Sequence, residues 1–290
     1  MRPRILAPLA FVSSLGAAFT CALAAEPAAT VRVIARDTTV RTDVAKASVR
    51  SREIHDVQSR GERTRLLVET VDSPVAIAVL FAGGKGAMRL SADGDIGWGN
   101  GNFLIRSRTL LLRDGITTAI IDAPTDRSDD LRYGFRGSAE HVADIGAVIA
   151  HLRAAYGRPV WLLGTSRGTN SVGNAAARLG ANGPDGIAFS ASMLESNENG
   201  NNLFDFDLEK ISVPVLISHH EDDECRVTPP GNVRKLRDRL SGAARVEVRM
   251  YSGGNASGNA CGVRHYHGFN GIEEAVMRDI TKWIKAQAGK

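Results

Sequence analysis

Cysteine is scarce in this sequence, and no long run of like charge occurs in it. The three cysteines include no Cys-x-x-Cys pair, and there is no His-Glu-x-x-His pattern. Neither common kind of zinc site is therefore indicated, and we expect no metal and no other cofactor. The formal net charge is only +4 over 290 residues. Without a dense basic segment, this composition is not that of a nucleic-acid-binding protein.

The first 24 residues have the pattern of a secretory signal peptide. Arg2 and Arg4 precede an apolar segment over about residues 5–23, and Ala22-Leu23-Ala24 has the small-x-small pattern of a signal peptidase site. A membrane anchor is the alternative, but prolines and a polar break at 13–16 leave the apolar segment short for one. We expect cleavage after Ala24, a periplasmic or secreted protein, and no stable membrane insertion afterwards.

Cleavage would remove Cys21, where the preceding Ala18-Phe19-Thr20 is also a poor signal for a lipid anchor. The mature chain then keeps Cys225 and Cys261. An even pair of cysteines in an exported protein indicates a disulfide. Closing that loop would stabilise the fold by roughly 3.5–4 kcal/mol if the effect is one of chain entropy.

The chain divides into a polar N-terminal part and a regularly patterned remainder. Residues 25–64 predict an N-terminal extension with at most two short strands. Predicted strands then cover 66–71, 75–81, 116–121, 160–163, 186–191, 213–218 and 245–250, and predicted helices cover 102–113, 138–156, 172–179 and 272–286. This alternation predicts one α/β domain over 65–290, with a mostly parallel sheet covered by helices on both faces.

Chemistry-bearing residues follow several of the predicted strands. In parallel sheets of this kind, ligands bind at the carboxyl ends of the strands. The features that fall at those ends are Gly83-Gly84, Asp122, Ser166, Asp223 and the loop 261–268. Their convergence on one edge of the sheet predicts a functional site there.

Ser166 lies between two glycines in the sequence Gly164-Thr165-Ser166-Arg167-Gly168. A buried strand is predicted before it and a helix of small residues after it. This is the context of a nucleophile elbow, a sharp turn that exposes a reactive serine. A tight turn without a chemical role is the alternative, and the strand and helix on either side favour the elbow.

A serine hydroxyl needs a base to act as a nucleophile, and the base needs an acid to orient it. Asp222 and Asp223 follow the predicted strand 213–218, and His265 and His267 follow the last strand. The order serine, acid, histidine is the one that this class of fold uses for a catalytic triad.

Three sequence features resemble those of the α/β-hydrolase superfamily, and the resemblance covers residues 65–290. They are GTSRG, the acid after the penultimate strand and His267-Gly268 before the final helix. The resemblance implies the α/β-hydrolase fold and an acyl-enzyme mechanism, with Ser166 as nucleophile, His267 as base and Asp223 as acid. Asp222 and His265 are the alternatives for the acid and the base.

The resemblance also implies an oxyanion hole made of two backbone N–H groups. Arg167 would supply one, and the glycine turn after strand 75–81 the other, from Gly84 or alternatively Lys85. The superfamily often has His-Gly at this point, whereas this chain has Ala82-Gly83-Gly84, so the second donor stays open. The glycine turn does not have the Walker spacing of a phosphate loop.

The predicted function is that of an exported carboxylic-ester hydrolase for small soluble molecules. The interval 195–210 is short, polar and Asn-rich, which predicts a small flap and no helical lid domain. Lys85, Arg167, Arg226 and Arg264 near the predicted mouth suggest a preference for substrates with a negative group. A peptidase or acyltransferase on the same triad is the alternative, and a non-catalytic binding protein on this scaffold is less favoured. The oligomeric state stays open.

Overall fold

The computed structural model describes residues 30–40 and 47–288. The predicted signal peptide and its cleavage site lie outside the described residues. Most of the described chain forms a single β-sheet with α-helices packed against it. Within these residues, no helix has both the length and the apolar character that a bilayer crossing requires.

Within the described residues, the sheet consists of nine strands, of which six form a parallel block. The strands are β1 (Thr30–Val40), β2 (Ala47–Ser59), β3 (Glu62–Thr70), β4 (Ala76–Phe81), β5 (Ile116–Pro124), β6 (Val160–Ser166), β7 (Gly186–Ser192), β8 (Val215–His220) and β9 (Val246–Tyr251). Their order across the sheet is β1-β2-β3-β5-β4-β6-β7-β8-β9. Strands β4 to β9 pair in parallel, which confirms the predicted mostly parallel sheet.

The N-terminal strands differ from the expectation for residues 25–64. The prediction of at most two short strands is wrong, because β1 has 11 residues, β2 has 13 and β3 begins at Glu62. These strands pair antiparallel and join the sheet through β3 and β5. The predicted boundary at residue 65 falls inside β3. Polar residues interrupt the apolar ones along β2, as is usual for antiparallel strands. The sequence pattern therefore does not indicate a long strand there.

Both faces of the sheet are covered by helices, namely α1 (Phe103–Arg113), α2 (Ala139–Tyr156), α3 (Gly168–Arg178), α4 (Val233–Arg239) and α5 (Glu273–Ala288). In β4, Ile77 and Val79 belong to one core cluster with residues of α2, α3 and α4. Ala78 and Leu80 belong to another cluster with residues of α1 and α5. Because successive strand residues point to opposite faces, a strand covered on both faces is apolar throughout. The predicted two-sided covering is confirmed.

Polar side chains cap the first helices where the sequence predicts their beginnings. Asn102 accepts a hydrogen bond from the Leu104 N–H before α1, and Ser138 accepts one from the His141 N–H before α2. Such caps satisfy N–H groups that the first helical turn leaves without partners. Helix α4 was not predicted, because its seven residues are mostly charged.

The strand order places the carboxyl ends of β4 and β6 side by side. After β4 the chain crosses to β5 on one side, and from β5 it returns to β6 on the other side. This reversal is a topological switch point, where open α/β sheets form a ligand crevice. Phe81 at the end of β4 pairs with Gly164 in β6. The glycine turn at 83–86 and Ser166 therefore leave the sheet next to each other.

Candidate active site

Ser166 is the last residue of β6, and its backbone lies in the left-handed region with φ of 53°. Residues other than glycine rarely adopt this conformation, which costs on the order of 1 kcal/mol or more. The surrounding structure holds it in place. The Thr169 hydroxyl donates to the Ser166 carbonyl at 2.6 Å and accepts from the Met193 N–H at 3.0 Å. This strand-turn-helix arrangement has the geometry of a nucleophile elbow.

Gly164 and Gly168 allow close backbone contacts around Ser166. A Cβ atom on Gly164 would lie 2.6 Å from the Gly168 carbonyl oxygen, and a Cβ atom on Gly168 would overlap the Phe81 carbonyl oxygen. Neither position can therefore carry a side chain without moving the backbone. The sheet, the turn and the start of α3 are thus packed too closely for any residue except glycine.

Asp223 and His267 meet at the same edge of the sheet. His267 Nδ1 lies 3.0 Å from Asp223 Oδ2, and both side chains are buried. The Asp223 carboxylate also accepts from the Thr228 hydroxyl at 2.9 Å and from the Cys225 N–H at 3.0 Å. With a proton on Nδ1 donated to the carboxylate, the imidazole leaves Nε2 free to accept another proton.

The environment of Asp223 keeps its carboxylate ionised. Burial by itself would raise the pKa of Asp223, because it disfavours the charged form. The hydrogen bond from His267, the charge interaction with that imidazole and the hydrogen bond from the Cys225 N–H together outweigh burial, and they hold the pKa of Asp223 below its ordinary value. An ionised acid is what orients an imidazole and stabilises its protonated form.

Thr228 and His219 are residues at this site that the sequence analysis missed. The Thr228 hydroxyl lies 3.1 Å from His267 Nδ1, and the Thr228 carbonyl accepts from His219 Nε2 at 2.9 Å. Burial lowers the pKa of His219 in spite of the nearby Asp223 charge. A neutral imidazole therefore packs behind the acid. No spacing in the sequence indicates these contacts, because they depend on how the 223–228 loop folds.

Asp222 and His265, the alternatives for the acid and the base, have different neighbours from Asp223 and His267. The Asp222 side chain is 62% exposed, and its carboxylate lies 4.0 Å from His220 Nδ1. His265 Nε2 lies 3.5 Å from the carboxylate of Glu224. The geometry favours Asp223 and His267, whose catalytic roles stay predictions.

Cys225 and Cys261 form the expected disulfide, with their Cα atoms 4.6 Å apart. Cys225 lies in the loop of Asp223, and Cys261 lies in the loop of His267. The bond therefore ties together the two loops that carry the acid and the histidine.

Ser166 and His267 line one cleft of about 340 Å³ at the switch point. Its walls include Gly84, Trp98 and Val263. The Ser166 hydroxyl and the His267 imidazole, both among the described residues, make no hydrogen bond to each other. Catalytic hydrogen bonds are often long without substrate and tighten in its complex. The cleft therefore brings the two groups to one cavity.

The backbone groups predicted to bind an oxyanion lie beside Ser166. The N–H groups of Arg167 and Gly84 find no acceptor in the described part of the chain. A Cβ atom on Gly83 would lie 2.9 Å from Ser166 Cβ, so the glycine turn touches the serine. Arg167 precedes α3, where the helix dipole favours negative charge. Both donors stay predictions, with Lys85 as the alternative to Gly84.

The four cations expected at the mouth do not line the cleft. Lys85, Arg226 and Arg264 are exposed to solvent. Arg167 is buried instead and donates to Asn197 Oδ1 at 2.5 Å. Burial lowers the pKa of Arg167, and repulsion from Arg132 adds to the effect. Their positions give no support to a preference for anionic substrates.

Asp122, which the sequence places at the same edge, has a structural role. Its carboxylate accepts hydrogen bonds from the backbone N–H groups of Met88, Arg89 and Leu90. These contacts hold the segment that follows the glycine turn and leads towards Trp98.

Asp223, Cys225 and His267 have potential metal-binding atoms within 4.8 Å of one another. The Cys225 sulfur is bound to Cys261, so it is not available as a thiolate ligand. The carboxylate and the imidazole are hydrogen-bonded to each other. These donors do not fit a metal centre, and the expectation of no cofactor stays a prediction.

Comparison with known proteins gives matches in structure alone. No protein-family model and no curated protein matches the sequence. A cold-adapted esterase from an Arctic intertidal metagenomic library superposes with a TM-score of 0.57 and 15% identity, over 82% of this chain and 94% of that one. Est1E from Butyrivibrio proteoclasticus has a TM-score of 0.55 and 13% identity, over 82% and 99%. A dienelactone hydrolase from Anabaena variabilis has a TM-score of 0.52 and 14% identity, over 80% and 95%.

This chain has the α/β-hydrolase fold. The superposition spans most of each compared chain, so the similarity is one of the overall fold. Because the sequence identities are only 13–15%, the likeness shows a shared fold and no more. The chemistry has to follow from the residues at the switch point, where the α/β-hydrolase fold carries its elbow serine.

Proposed function

We propose that this protein is a serine hydrolase that cleaves carboxylic esters of small soluble molecules through an acyl-enzyme on Ser166. The observation that carries the proposal is the Asp223–His267 pair, joined at 3.0 Å, whose histidine lines the same cleft as a serine held at positive φ. Acyl transfer requires an exposed nucleophile, an oriented base and oxyanion donors, and this edge of the sheet supplies candidates for each.

In the first half-reaction, the Ser166 hydroxyl oxygen attacks the ester carbonyl carbon, and His267 Nε2 takes the hydroxyl proton. Asp223 stabilises the imidazolium, and the N–H groups of Arg167 and Gly84 donate to the oxyanion. The ester C–O bond then breaks, and His267 gives its proton to the leaving alcohol. A water molecule attacks the acyl-enzyme with His267 again as base, which releases the carboxylic acid and restores Ser166.

The cleft favours compact substrates. Trp98, Phe103 and Val263 give it apolar walls, and its volume is about 340 Å³, near the lower end of ordinary ligand pockets. The interval 195–210 forms short 3-10 turns and no α-helix, so this interval contributes no helical lid. We therefore favour short or single-ring esters over long-chain lipids. Est1E has been solved with ferulic acid bound, which makes small aromatic esters a rational part of the substrate panel.

Export is part of the proposal. The disulfide between Cys225 and Cys261 is typical of an oxidising compartment, and the N-terminal pattern is that of a secretory signal. We propose a periplasmic or secreted protein that begins at residue 25. Sequencing the N-terminus of the exported product tests this directly, and an N-terminus at residue 1 would contradict it.

The test of the function is hydrolysis of a panel of short p-nitrophenyl and single-ring aromatic esters by the wild type and by Ser166→Ala. We expect ester hydrolysis by the wild type and a kcat lower by about 10⁴ or more in the variant. A wild type that cleaves no ester, or a Ser166→Ala variant with undiminished activity, would contradict the proposal. Matched p-nitroanilides and an added alcohol acceptor distinguish a peptidase and an acyltransferase from an esterase.

A further inference from the structure

A buried arginine lies directly behind the glycine turn of the cleft. Arg136 belongs to a short 3-10 turn, Phe135–Gly137, that precedes α2. Its side chain is only 4% exposed. Nη2 donates to the Ala82 carbonyl at 3.0 Å and lies 3.5 Å from the Gly84 carbonyl. The guanidinium thus contacts the turn predicted to hold the second oxyanion donor.

In the described part of the chain, no carboxylate lies within 4 Å of the Arg136 guanidinium, and Asp130, which pairs with Arg132 at 2.6 Å, attracts its charge from farther away. The other contact of Arg136 is with Ser171, whose hydroxyl accepts from Nη1 at 2.8 Å and lies 2.9 Å from His141 Nε2. Burial lowers the pKa of His141 to about 3, so that imidazole is neutral. Burial also lowers the pKa of Arg136 to about 9, and repulsion from Arg167 adds to the effect. A buried cation with no carboxylate in contact is costly to the free protein.

The connectivity of the turn shows what the guanidinium can control. The Ala82 and Gly84 carbonyls belong to the peptide groups on either side of the Gly83–Gly84 peptide, which carries the Gly84 N–H. Fixing both neighbours fixes the direction of that N–H. The turn also fits closely around the guanidinium, since a Cβ atom on Gly86 would overlap Arg136 Nη2.

We propose that Arg136 is a positioning residue for the oxyanion hole, one that fixes the Gly84 N–H and whose weakly compensated charge gains a counter-charge when an oxyanion forms at Ser166. The inference rests on the proposed hydrolase function. It assigns a role in the transition state, because an ester carbonyl is neutral whereas the tetrahedral intermediate carries the negative charge. The effect therefore falls on kcat and on the binding of anionic tetrahedral adducts.

The test compares Arg136→Met with Arg136→Lys in the full chain. The measurements are kcat and KM for p-nitrophenyl acetate, and the inhibition constant of phenylboronic acid, which forms a tetrahedral anion on a catalytic serine. We expect kcat of Arg136→Met to fall about 30–100-fold, somewhat less than for loss of an oxyanion donor itself, with KM changed less than about threefold. Phenylboronic acid should bind more weakly by a similar factor. Arg136→Lys should recover part of both losses.

The control is Arg60→Met, which removes an arginine that pairs with buried Asp144 at 2.7 Å on the α2 side of the sheet. We expect this variant to lower the thermal midpoint but to leave kcat and boronate binding unchanged. The inference is overturned if folded Arg136→Met keeps both values within threefold of the wild type, or if Arg60→Met loses as much. If Arg136→Met does not fold, Arg136→Lys decides the question by the same two measurements. An inactive wild type would instead count against the proposed function.

Discussion

At the scale of single residues, the site depends on which of two adjacent carboxylates contacts the histidine. Asp223 is 4% exposed and accepts three hydrogen bonds, whereas the neighbouring Asp222 side chain is 62% exposed. A carboxylate in solvent cannot hold an imidazole in one orientation against water. Only Asp223 therefore has the surroundings of an orienting acid.

We expect Asp223→Asn to lower kcat by about 10³–10⁴-fold, because the amide would favour the wrong tautomer of His267 and would not stabilise its protonated form. Asp222→Asn, the matched control in the same loop, should keep kcat within about twofold. Steady-state hydrolysis of a p-nitrophenyl ester measures both. Equal losses in the two variants, or a larger loss in Asp222→Asn, would exclude Asp223 as the acid.

Sequence reasoning at this scale names candidates where the chemistry has a fixed order along the chain. Ser166 has its glycines, and an acid and a histidine follow in order after later strands. Arg136 and Thr228 were missed because they come from segments with no motif, and they reach the site only through the fold. Their hydrogen bonds follow from three-dimensional proximity, which one sequence does not encode in any spacing.

At the scale of elements, the junction of β6 and α3 sets the position of the nucleophile. The start of α3 packs so closely on the end of β4 that Gly168 has no room for a side chain. The contact is backbone against backbone, so it cannot be relieved by a change of rotamer. The position of Ser166 therefore depends on the absence of a methyl group two residues later.

Gly168→Ala should lower the free energy of unfolding by about 2–4 kcal/mol and abolish most activity, since the added methyl group forces β4 and α3 apart. Gly231→Ala is the control, because a Cβ atom there meets no atom within 4 Å and the residue has no positive φ. It should change stability by less than about 0.5 kcal/mol. Urea unfolding and ester hydrolysis measure both effects. A Gly168→Ala protein as stable and active as Gly231→Ala would contradict this account of the elbow.

The parallel strands were predictable and the lengths of β1 and β2 were not, for a physical reason. β4 reads AIAVLF, since it is buried on both faces and needs apolar residues throughout. β2 reads ASVRSREIHDVQS, in which only scattered apolar residues reach the core. Antiparallel pairing with β3 supplies the remaining stabilisation through backbone hydrogen bonds. The hydrophobic pattern of the sequence does not indicate such bonds.

At the scale of the whole molecule, several histidines are buried or half-buried in forms that resist protonation. Burial is the main reason that the pKa values of His55, His141, His151 and His219 lie below the ordinary value. In the unfolded chain these groups take up protons below about pH 6.5. Between that pH and the lower folded pKa, the unfolded state binds more protons, so the free energy of unfolding falls as pH falls.

For His141, the pKa of about 3 predicts that the free energy of unfolding falls by about 1.4 kcal/mol per pH unit as pH is lowered between roughly pH 6 and 4. We expect His141→Gln to be less stable than the wild type at pH 7, since it disturbs a buried hydrogen bond to Ser171. Its stability should nevertheless decline with acidification less steeply, by that slope. Urea unfolding at half-unit pH steps measures both curves. Parallel curves for the two proteins would show that His141 does not carry the proton linkage.

The most direct measurement of the proposed triad is mass-spectrometric mapping of the adduct that a fluorophosphonate probe forms with the wild type, with His267→Ala and with His265→Ala. The probe reacts only with an activated serine, so the wild type should carry one adduct on Ser166. His265→Ala should label at a similar rate, and labelling of His267→Ala should be slower by at least about 10³-fold. An adduct on another residue, an unlabelled wild type, or undiminished labelling of His267→Ala would contradict the account.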